Sequence, residues 1–137
     1  MSEFVSQSLE DTKNIAREFA KEIKPGLVVC MSGDLGAGKT TFVSALAEVL
    51  GIEAQVMSPT FNILMQYSNK GGPSINHFDL YRLDDEQELE DIDFFGIIEQ
   101  EDITFIEWAN KFKNAMPNDA ISFKIEKLDE SSRKFIW

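Results

Sequence analysis

The sequence predicts a single α/β domain built on one β-sheet that mixes parallel and antiparallel strands. A chain of 137 residues, taken here as one domain over positions 1–137, is large enough to bury its own core without disulfides or metals. The apolar run 27–31 is typical of a buried strand, and after the glycine-rich loop that follows it, Phe42 and Leu46 share one face of a helix. Two later extended runs, 63–67 and 75–80, flank a polar turn. They predict an antiparallel hairpin, which breaks simple βαβ repetition.

The glycine-rich loop follows a known phosphate-binding pattern. Residues 33–40 read GDLGAGKT and match G-x-x-x-x-G-K-[S/T] at every fixed position. Glycines allow successive backbone N–H groups to approach phosphate oxygens, and the next helix points its positive end at the same place. Lys39 is expected to reach the outer phosphates, and the Thr40 hydroxyl is the expected ligand of a magnesium ion that travels with the nucleotide. The predicted phosphate-contacting set is Gly33, Asp34, Leu35, Gly36, Ala37, Gly38, Lys39, Thr40 and Thr41.

The chain before the loop predicts one helix and one strand. Ser8 is the expected N-cap of the helix, with an acidic residue three positions later, and Pro25-Gly26 is the expected stop. This helix leads directly into the first strand, but spacing alone does not show whether its start lies near a bound base. Cys30, in that strand, is expected to be a buried and inert thiol. After the phosphate-loop helix, Gly51 is the expected C-terminal stop.

In the second strand of the predicted hairpin, alternation separates two faces. Phe78 shares one face with Leu80, whereas His77, Asp79 and Tyr81 share the other. A solvated strand face is the ordinary interpretation of such a polar set, and for His77 it is the one we expect.

The acidic residues are concentrated in one segment. The formal net charge is −11, and ten of the 24 acidic residues, but no lysine or arginine, lie within 84–102. We predict one short helix at 86–91 and a turn around Gly96 there. The segment is either a solvated helical face or a docking surface for a basic partner, and spacing does not distinguish the two. Direct binding of nucleic-acid phosphates requires a basic surface, which the sequence lacks.

Two later strand patterns complete the predicted sheet. The apolar run 103–108 contains Glu107 near its end, and 121–125 pairs with the chain terminus through a turn at 129–132. In phosphate-loop proteins a second strand delivers an acidic residue to magnesium. Glu107 is one candidate and Asp79 is another, and spacing does not rank them.

Four blocks together resemble a known family. They are GDLGAGKTT at 33–41, SPTF at 58–61, HFDLYR at 77–82 and IEW at 106–108, in that order. The combination resembles the TsaE (YjeE) family, small bacterial ATPases that serve the threonylcarbamoyladenosine modification of tRNA. The blocks cover the chain from about residue 31 to residue 108. The resemblance implies a three-layer α/β phosphate-loop NTPase domain with a mixed sheet, using ATP and Mg²⁺.

The resemblance also implies roles for individual residues. Thr40 and Glu107 would coordinate magnesium, Thr60 would belong to a switch-like loop that senses the γ-phosphate, and Asp79 would be needed for hydrolysis, with Lys39 on the phosphates. Three further residues would lie beside the nucleotide: Trp108 next to the site, Leu9 at the start of the first helix and Arg133 in the C-terminal hairpin. The chain departs from the family at Asn110, near where relatives often carry an acid.

The family's role implies partners and a location. Proteins of this family bind the TsaD and TsaB proteins and use ATP to reset the modifying complex, which implies that this protein contacts tRNA only indirectly, through TsaD and TsaB. Hydrolysis by the isolated protein is expected to be slow and partner-stimulated. The sequence shows neither a membrane span nor a signal pattern, and we expect a cytoplasmic protein.

Three other interpretations use the same loop. A small-molecule kinase normally needs a lid with arginines, which 84–102 does not contain. A GTPase would need a guanine-reading Asn-Lys-x-Asp pattern, and the Asn69-Lys70 pair lacks its Asp. A nucleotide-binding switch without useful hydrolysis stays open.

Overall fold

The computed structural model describes residues 1–34 and 37–137 as a seven-stranded mixed sheet covered by helices. The predicted α/β fold class is confirmed. Its strands are β1 (Glu3–Ser6), β2 (Val28–Ser32), β3 (Leu64–Tyr67), β4 (Ile75–Asp79), β5 (Ile103–Glu107), β6 (Ile121–Lys127) and β7 (Arg133–Ile136). Its helices are α1 (Leu9–Ala20), α2 (Lys39–Val49), α3 (Glu86–Asp91) and α4 (Phe94–Ile98), followed after β5 by a short 3₁₀ segment (Ala109–Ala115).

The strand order across the sheet is β1-β7-β6-β2-β5-β4-β3. Strands β6, β2, β5 and β4 are parallel to one another, while β7, β1 and β3 pair antiparallel at the two edges. The carboxyl ends of the four parallel strands therefore meet along one edge, where ligands bind in open α/β sheets. The hairpin formed by β3 and β4 confirms the predicted antiparallel pair.

Local sequence signals explain the first helix. The side chain of Ser8 accepts a hydrogen bond from the backbone N–H of Asp11 at 3.0 Å, and the Asp11 carboxylate in turn accepts from the N–H of Gln7 at 2.9 Å. This capping arrangement satisfies the N–H of Asp11, which the first turn of the helix leaves unpaired, and the N–H of Gln7 just before the N-cap. The helix ends at Ala20 with Lys21 as its C-cap, before the predicted stop at Pro25-Gly26, and Gly26 adopts a positive φ of 78° in the turn that precedes β2.

Apolar residues pack on both faces of the sheet and make three layers. On one face, α1 and α2 pack against the sheet around Phe19, Phe42 and Phe105, all fully buried. On the other face, α3, α4 and the 3₁₀ segment cover Phe78 and Ile106. Since both faces are covered, the inner strands β4 and β5 are buried along their whole length.

Two local expectations were wrong. His77 is fully buried, not solvated, because β4 is paired on both sides and lies under the α2 face of the sheet. Gly96 lies inside α4 and not in a turn. The ring of Phe94, the first residue of α4, is fully buried and lies 5.1 Å from that of Phe78, and this burial outweighs the weak helix propensity of glycine.

The sequence patterns also missed two elements. Strand β1 has only 4 residues and is recognisable by its pairing with β7, and the 3₁₀ segment has irregular geometry at Phe112. The thiol of Cys30 is only partly buried, and this burial raises its pKa. Among the described residues, no helix has the length and apolar character that crossing a membrane requires.

Candidate functional site

The site is built where β2, β4 and β5 end. Parallel pairing places Asp79 of β4 directly beside Glu107 of β5, and Glu107 beside Met31 of β2. Strand β2 then leads through the glycine-rich loop into α2, whose first residue is Lys39. Sheet register thus brings together two carboxylates and the loop lysine, which are far apart in the sequence.

Glycines allow this loop to approach the sheet closely. Gly33 has φ 150°, and a β-carbon there would lie 2.7 Å from the carbonyl oxygen of Ile125 in β6. Gly38 has φ 110° and precedes α2 as its N-cap. A larger residue at either position would be strained. Two predicted phosphate-contacting residues, Leu35 and Gly36, lie outside the described part of the chain.

Glu107 lies at the centre of a chain of polar contacts. Its Oε1 lies 3.0 Å from Nζ of Lys39, and its Oε2 lies 2.6 Å from Nε2 of His77. The His77 contact has the length of an ion pair, although the ring N–H is not aligned on the oxygen as in a regular hydrogen bond. Lys39 also donates to the carbonyl oxygen of Gly33 at 3.0 Å. The phosphate-loop lysine is therefore held by a carboxylate and a carbonyl.

The surroundings of Glu107 keep it ionised. Burial alone would raise the pKa of its carboxyl, but contact with His77 and the positive charge of Lys39 outweigh burial and lower the pKa below its ordinary value. An ionised carboxylate is a ligand that magnesium prefers.

Asp79 has different partners. Its Oδ1 accepts a hydrogen bond from the backbone N–H of Tyr81 at 3.0 Å, and its own N–H donates to the carbonyl of Ile63 at 2.7 Å. The nearby loop carries Thr60, whose hydroxyl lies 2.7 Å from that of Ser58. Unlike Glu107, Asp79 has no ion pair among the described residues.

Backbone strain is concentrated beside these carboxylates. Ile63, whose carbonyl accepts a hydrogen bond from the N–H of Asp79, has φ 66°, and Trp108, which follows Glu107 in the chain, has φ 64°. Such angles are unfavourable for a β-branched or bulky residue and cost about 1 to 3 kcal/mol each. The surrounding structure holds both residues in place, a pattern frequent at functional sites.

The two carboxylates and the loop face one cleft. It has a volume of about 590 Å³, and Ser58, Tyr81 and Trp108 also contribute to its wall. The exposed ring of Trp108 lies 5.0 Å from that of Tyr81. The predicted site residues in the cleft lining are Gly33, Asp34, Gly38, Lys39, Thr40, Thr41, Thr60, Asp79, Glu107 and Trp108.

A second cleft of about 290 Å³ adjoins the first across Gly38 and Thr41. Leu9 and Arg133 lie in its wall, so the structure brings these two predicted residues together. Nε of Arg133 donates to the carbonyl of Ala37 at 2.9 Å, which ties the C-terminal hairpin to the phosphate loop. One continuous depression therefore runs from the start of α1 to the two carboxylates.

The described residues include no group of three or more His, Cys, Asp or Glu side chains arranged to hold a metal. Thr40 and Glu107 do face the same cleft. One hydroxyl and one carboxylate suit magnesium, which keeps several waters and binds proteins through one or two side chains together with substrate phosphates.

Sequence reasoning missed His77, Ser58 and Tyr81 as site residues. The available signal for His77 was its position two residues before Asp79, on the same strand face. Its interpretation depended on whether that face was covered, which only the sheet order shows.

The fold and the site together define a phosphate-loop domain. A family model described as threonylcarbamoyl adenosine biosynthesis protein TsaE matches residues 6–135. The chain is 38% identical over 128 residues to the tRNA threonylcarbamoyladenosine biosynthesis protein TsaE of Bacillus subtilis, covering 93% of this chain and 79% of that one. It is 41% identical over 136 residues to the protein of the same name from Aquifex aeolicus, covering 98% and 93%. The chain belongs to the TsaE family.

A solved structure agrees with the sequence comparison. The crystal structure of Bacillus subtilis YdiB superposes with a TM-score of 0.76 at 30% sequence identity, covering 98% of this chain and 82% of that one. The likeness extends to nearly the whole chain, including the ends that the four sequence blocks do not reach.

Proposed function

We propose that this protein binds and hydrolyses ATP with Mg²⁺ in support of the threonylcarbamoyladenosine modification of tRNA. The observation that carries the proposal is the meeting of Lys39 and Thr40 with the carboxylates of Asp79 and Glu107 in one cleft. Membership of the TsaE family supplies the biological process, which is printed in the names of the relatives.

The nucleotide would lie along the continuous depression. The base would rest between Leu9 and Arg133, and the phosphates would pass Gly38 and Thr41 to reach Lys39. Backbone N–H groups of the loop and the N-terminus of α2, which has 11 residues, would bind the phosphate oxygens. To do so, Lys39 would exchange its contact with Glu107 for one with phosphate.

In hydrolysis, a water oxygen bonds to the γ-phosphorus while the bond to the bridging oxygen of ADP breaks. Magnesium, when bound, neutralises charge on the phosphates, and Thr40 and Glu107 would hold it. Asp79 would orient the water and take up its proton, and Thr60, which also lines the cleft, would contact the γ-phosphate.

Turnover by the isolated protein is expected to be slow. The described lining of the cleft contains no arginine, and Lys39 is its single cationic side chain. A cation supplied in trans can accelerate phosphoryl transfer by roughly 10³ to 10⁵. We propose that TsaD and TsaB supply the missing groups, with tRNA reaching the protein only through them, and that the acidic segment 84–102 faces a basic partner surface.

A small-molecule kinase is a second candidate because of one observation. A groove of about 630 Å³ lies on the other side of Lys39 and Trp108, lined also by Asn110 and Lys124, and it is large enough for a hydroxyl-bearing acceptor. The two candidates differ in where the γ-phosphoryl group goes.

The test is ATP turnover measured for the protein alone, with TsaB and TsaD, and with tRNA added. We expect release of inorganic phosphate that rises when the partners are added and falls with increasing salt. Phosphorylation of a small hydroxyl compound in step with ATP loss would favour the kinase. Nucleotide binding without turnover in every mixture would leave only a switch.

A further inference from the structure

We infer that His77 is the positioning residue for Glu107: it holds Oε2 of the carboxylate in place, so that Oε1 can pass from Lys39 to magnesium. The inference rests on the proposed function of this cleft as a Mg-nucleotide site. It assigns a role to a residue that lines none of the clefts described above and cannot touch the nucleotide.

The contacts divide the two oxygens of Glu107 between different partners. Lys39 is on Oε1 at 3.0 Å and His77 is on Oε2 at 2.6 Å. Because an ionised carboxylate has no hydrogen to donate, a lone pair on Nε2 only 2.6 Å from Oε2 would be repelled, so Nε2 carries the hydrogen although its N–H is not aligned on the oxygen. The side chain of Lys39 is 16% exposed and at the edge of the cleft, whereas that of His77 is 0% exposed. Lys39 is therefore the partner that can leave, and His77 is the one that stays.

The cost of burying His77 indicates that packing does not explain it. Neither ring nitrogen has a hydrogen bond of regular geometry among the described residues, Nδ1 has no close contact with Glu107, and the ring of Phe105 lies 6.3 Å away between ring centroids. An unsatisfied buried polar atom costs about 1 to 3 kcal/mol, so an apolar side chain would suit this position better if stability were its only role. What the ring supplies instead is a buried nitrogen held 2.6 Å from Oε2 of Glu107.

The departure of Lys39 explains why such a contact is needed. When Lys39 turns to phosphate, Glu107 loses one of its two partners, and without His77 its carboxylate would be free to rotate. Residues that fix a metal ligand in this way typically change metal affinity by about 10- to 100-fold when they are removed.

The test compares two amide variants. In His77→Gln the amide nitrogen occupies the place of Nε2 and keeps the donor, whereas in His77→Asn it occupies the place of Nδ1 and does not reach Glu107. Each protein is saturated with ADP, and Mn²⁺ is titrated in with free ion followed by electron paramagnetic resonance. We expect the Kd for Mn²⁺ to rise about tenfold or more in His77→Asn and to stay within about threefold of wild type in His77→Gln.

Two controls separate positioning from stability. Phe78→Leu removes buried volume from the opposite face of the same strand without contacting Glu107, and it should leave the Kd for Mn²⁺ unchanged. ADP affinity in chelator should change less than about twofold in all variants, because His77 acts on the metal ligand and not on the nucleotide. His77→Leu is an apolar replacement that also has no donor near Glu107, and it should behave like His77→Asn.

An equal loss of Mn²⁺ affinity in His77→Gln and His77→Asn would overturn the inference and leave a purely structural role for His77. A loss of Mn²⁺ affinity in Phe78→Leu as large as that in His77→Asn would do the same. So would an unchanged Kd for Mn²⁺ in His77→Asn. A wild-type protein that binds ADP no better with Mn²⁺ than without it would instead overturn the proposed magnesium site.

Discussion

Replacing Lys39 with alanine tests the site at its centre. In the structure Nζ of Lys39 contacts Oε1 of Glu107 and the carbonyl of Gly33, both at 3.0 Å. When ATP is bound, we expect the charged Nζ of Lys39 to contact the outer phosphates instead. A hydrogen bond to a charged group contributes about 1.5 to 3 kcal/mol, and each 1.4 kcal/mol is a factor of about ten in affinity.

The structure places the expected loss near the lower end of that range. Binding requires Lys39 to leave Glu107 and Gly33, so part of the phosphate contact replaces contacts that already exist. We therefore expect Lys39→Ala to weaken Mg-ATP binding by about 10- to 30-fold. Loss of the lysine also leaves the Glu107 carboxylate with His77 as its remaining close side-chain contact at 2.6 Å, so folding must be verified independently.

Isothermal titration calorimetry with Mg-ATP measures the effect, and circular dichroism verifies the fold. Lys124→Ala is the matched control, because Lys124 carries the same charge, lines the neighbouring groove and forms a surface ion pair with Glu126. It should change the affinity less than about twofold. Unchanged Mg-ATP affinity in a folded Lys39→Ala protein, or an equal loss in Lys124→Ala, would refute the assignment of the phosphate site.

Three further predictions follow from the same structure. Asp79→Asn should lower the ATPase kcat about a hundredfold, because it removes a proton acceptor, while Mg-ATP affinity stays within about threefold, because it removes no phosphate contact. Steady-state kinetics and calorimetry measure the two quantities. A large loss of Mg-ATP affinity with little change in kcat would show that Asp79 is the magnesium ligand. The stability advantage of wild type over Glu107→Gln should be present above pH 4.5, the ordinary pKa of a glutamate, and should shrink as pH falls through the lowered folded-state pKa of Glu107. Urea denaturation of both proteins across pH 6 to 3 measures it, and a constant difference would contradict the lowered pKa. Phe19→Ala should lower the free energy of unfolding by about 3 to 5 kcal/mol, because Phe19 is fully buried and four aromatic ring centroids lie within 6.1 Å of its own. Urea denaturation measures it, and a loss below about 1 kcal/mol would show that the surrounding aromatic rings repack.

The acidic segment 84–102 is partly structural. Asp85 caps α3 by accepting from the N–H of Glu88, so part of the charge serves local helix formation. The apolar residues Leu89 and Phe94 of the segment are fully buried against the sheet. The segment is therefore anchored to the domain by its apolar side and presents its carboxylates outward, which is compatible with either of the two interpretations that the sequence left open.

Much of this fold follows from short-range patterns in the sequence. The N-cap at Ser8 and the hairpin of β3 and β4 each depend on residues a few positions apart, and the structure contains both, whereas α1 ends at Ala20, before the predicted stop at Gly26. The loop motif and the strand that ends in Glu107 were likewise identified from local patterns. Such features are predictable because capping, turn geometry and periodicity depend on interactions between residues that are close together in the sequence.

Tertiary structure decided how these parts combine. From the sequence, Asp79 and Glu107 were equivalent candidates for the magnesium ligand. In the structure, strand register places them side by side, and only Glu107 forms an ion pair with Lys39 among the described residues. Arg133 reaches Ala37 across 96 residues of sequence, a contact that no local pattern encodes. His77 was misjudged for the same reason: alternation assigns a residue to a face, but whether that face is buried depends on which strands and helices pack against it.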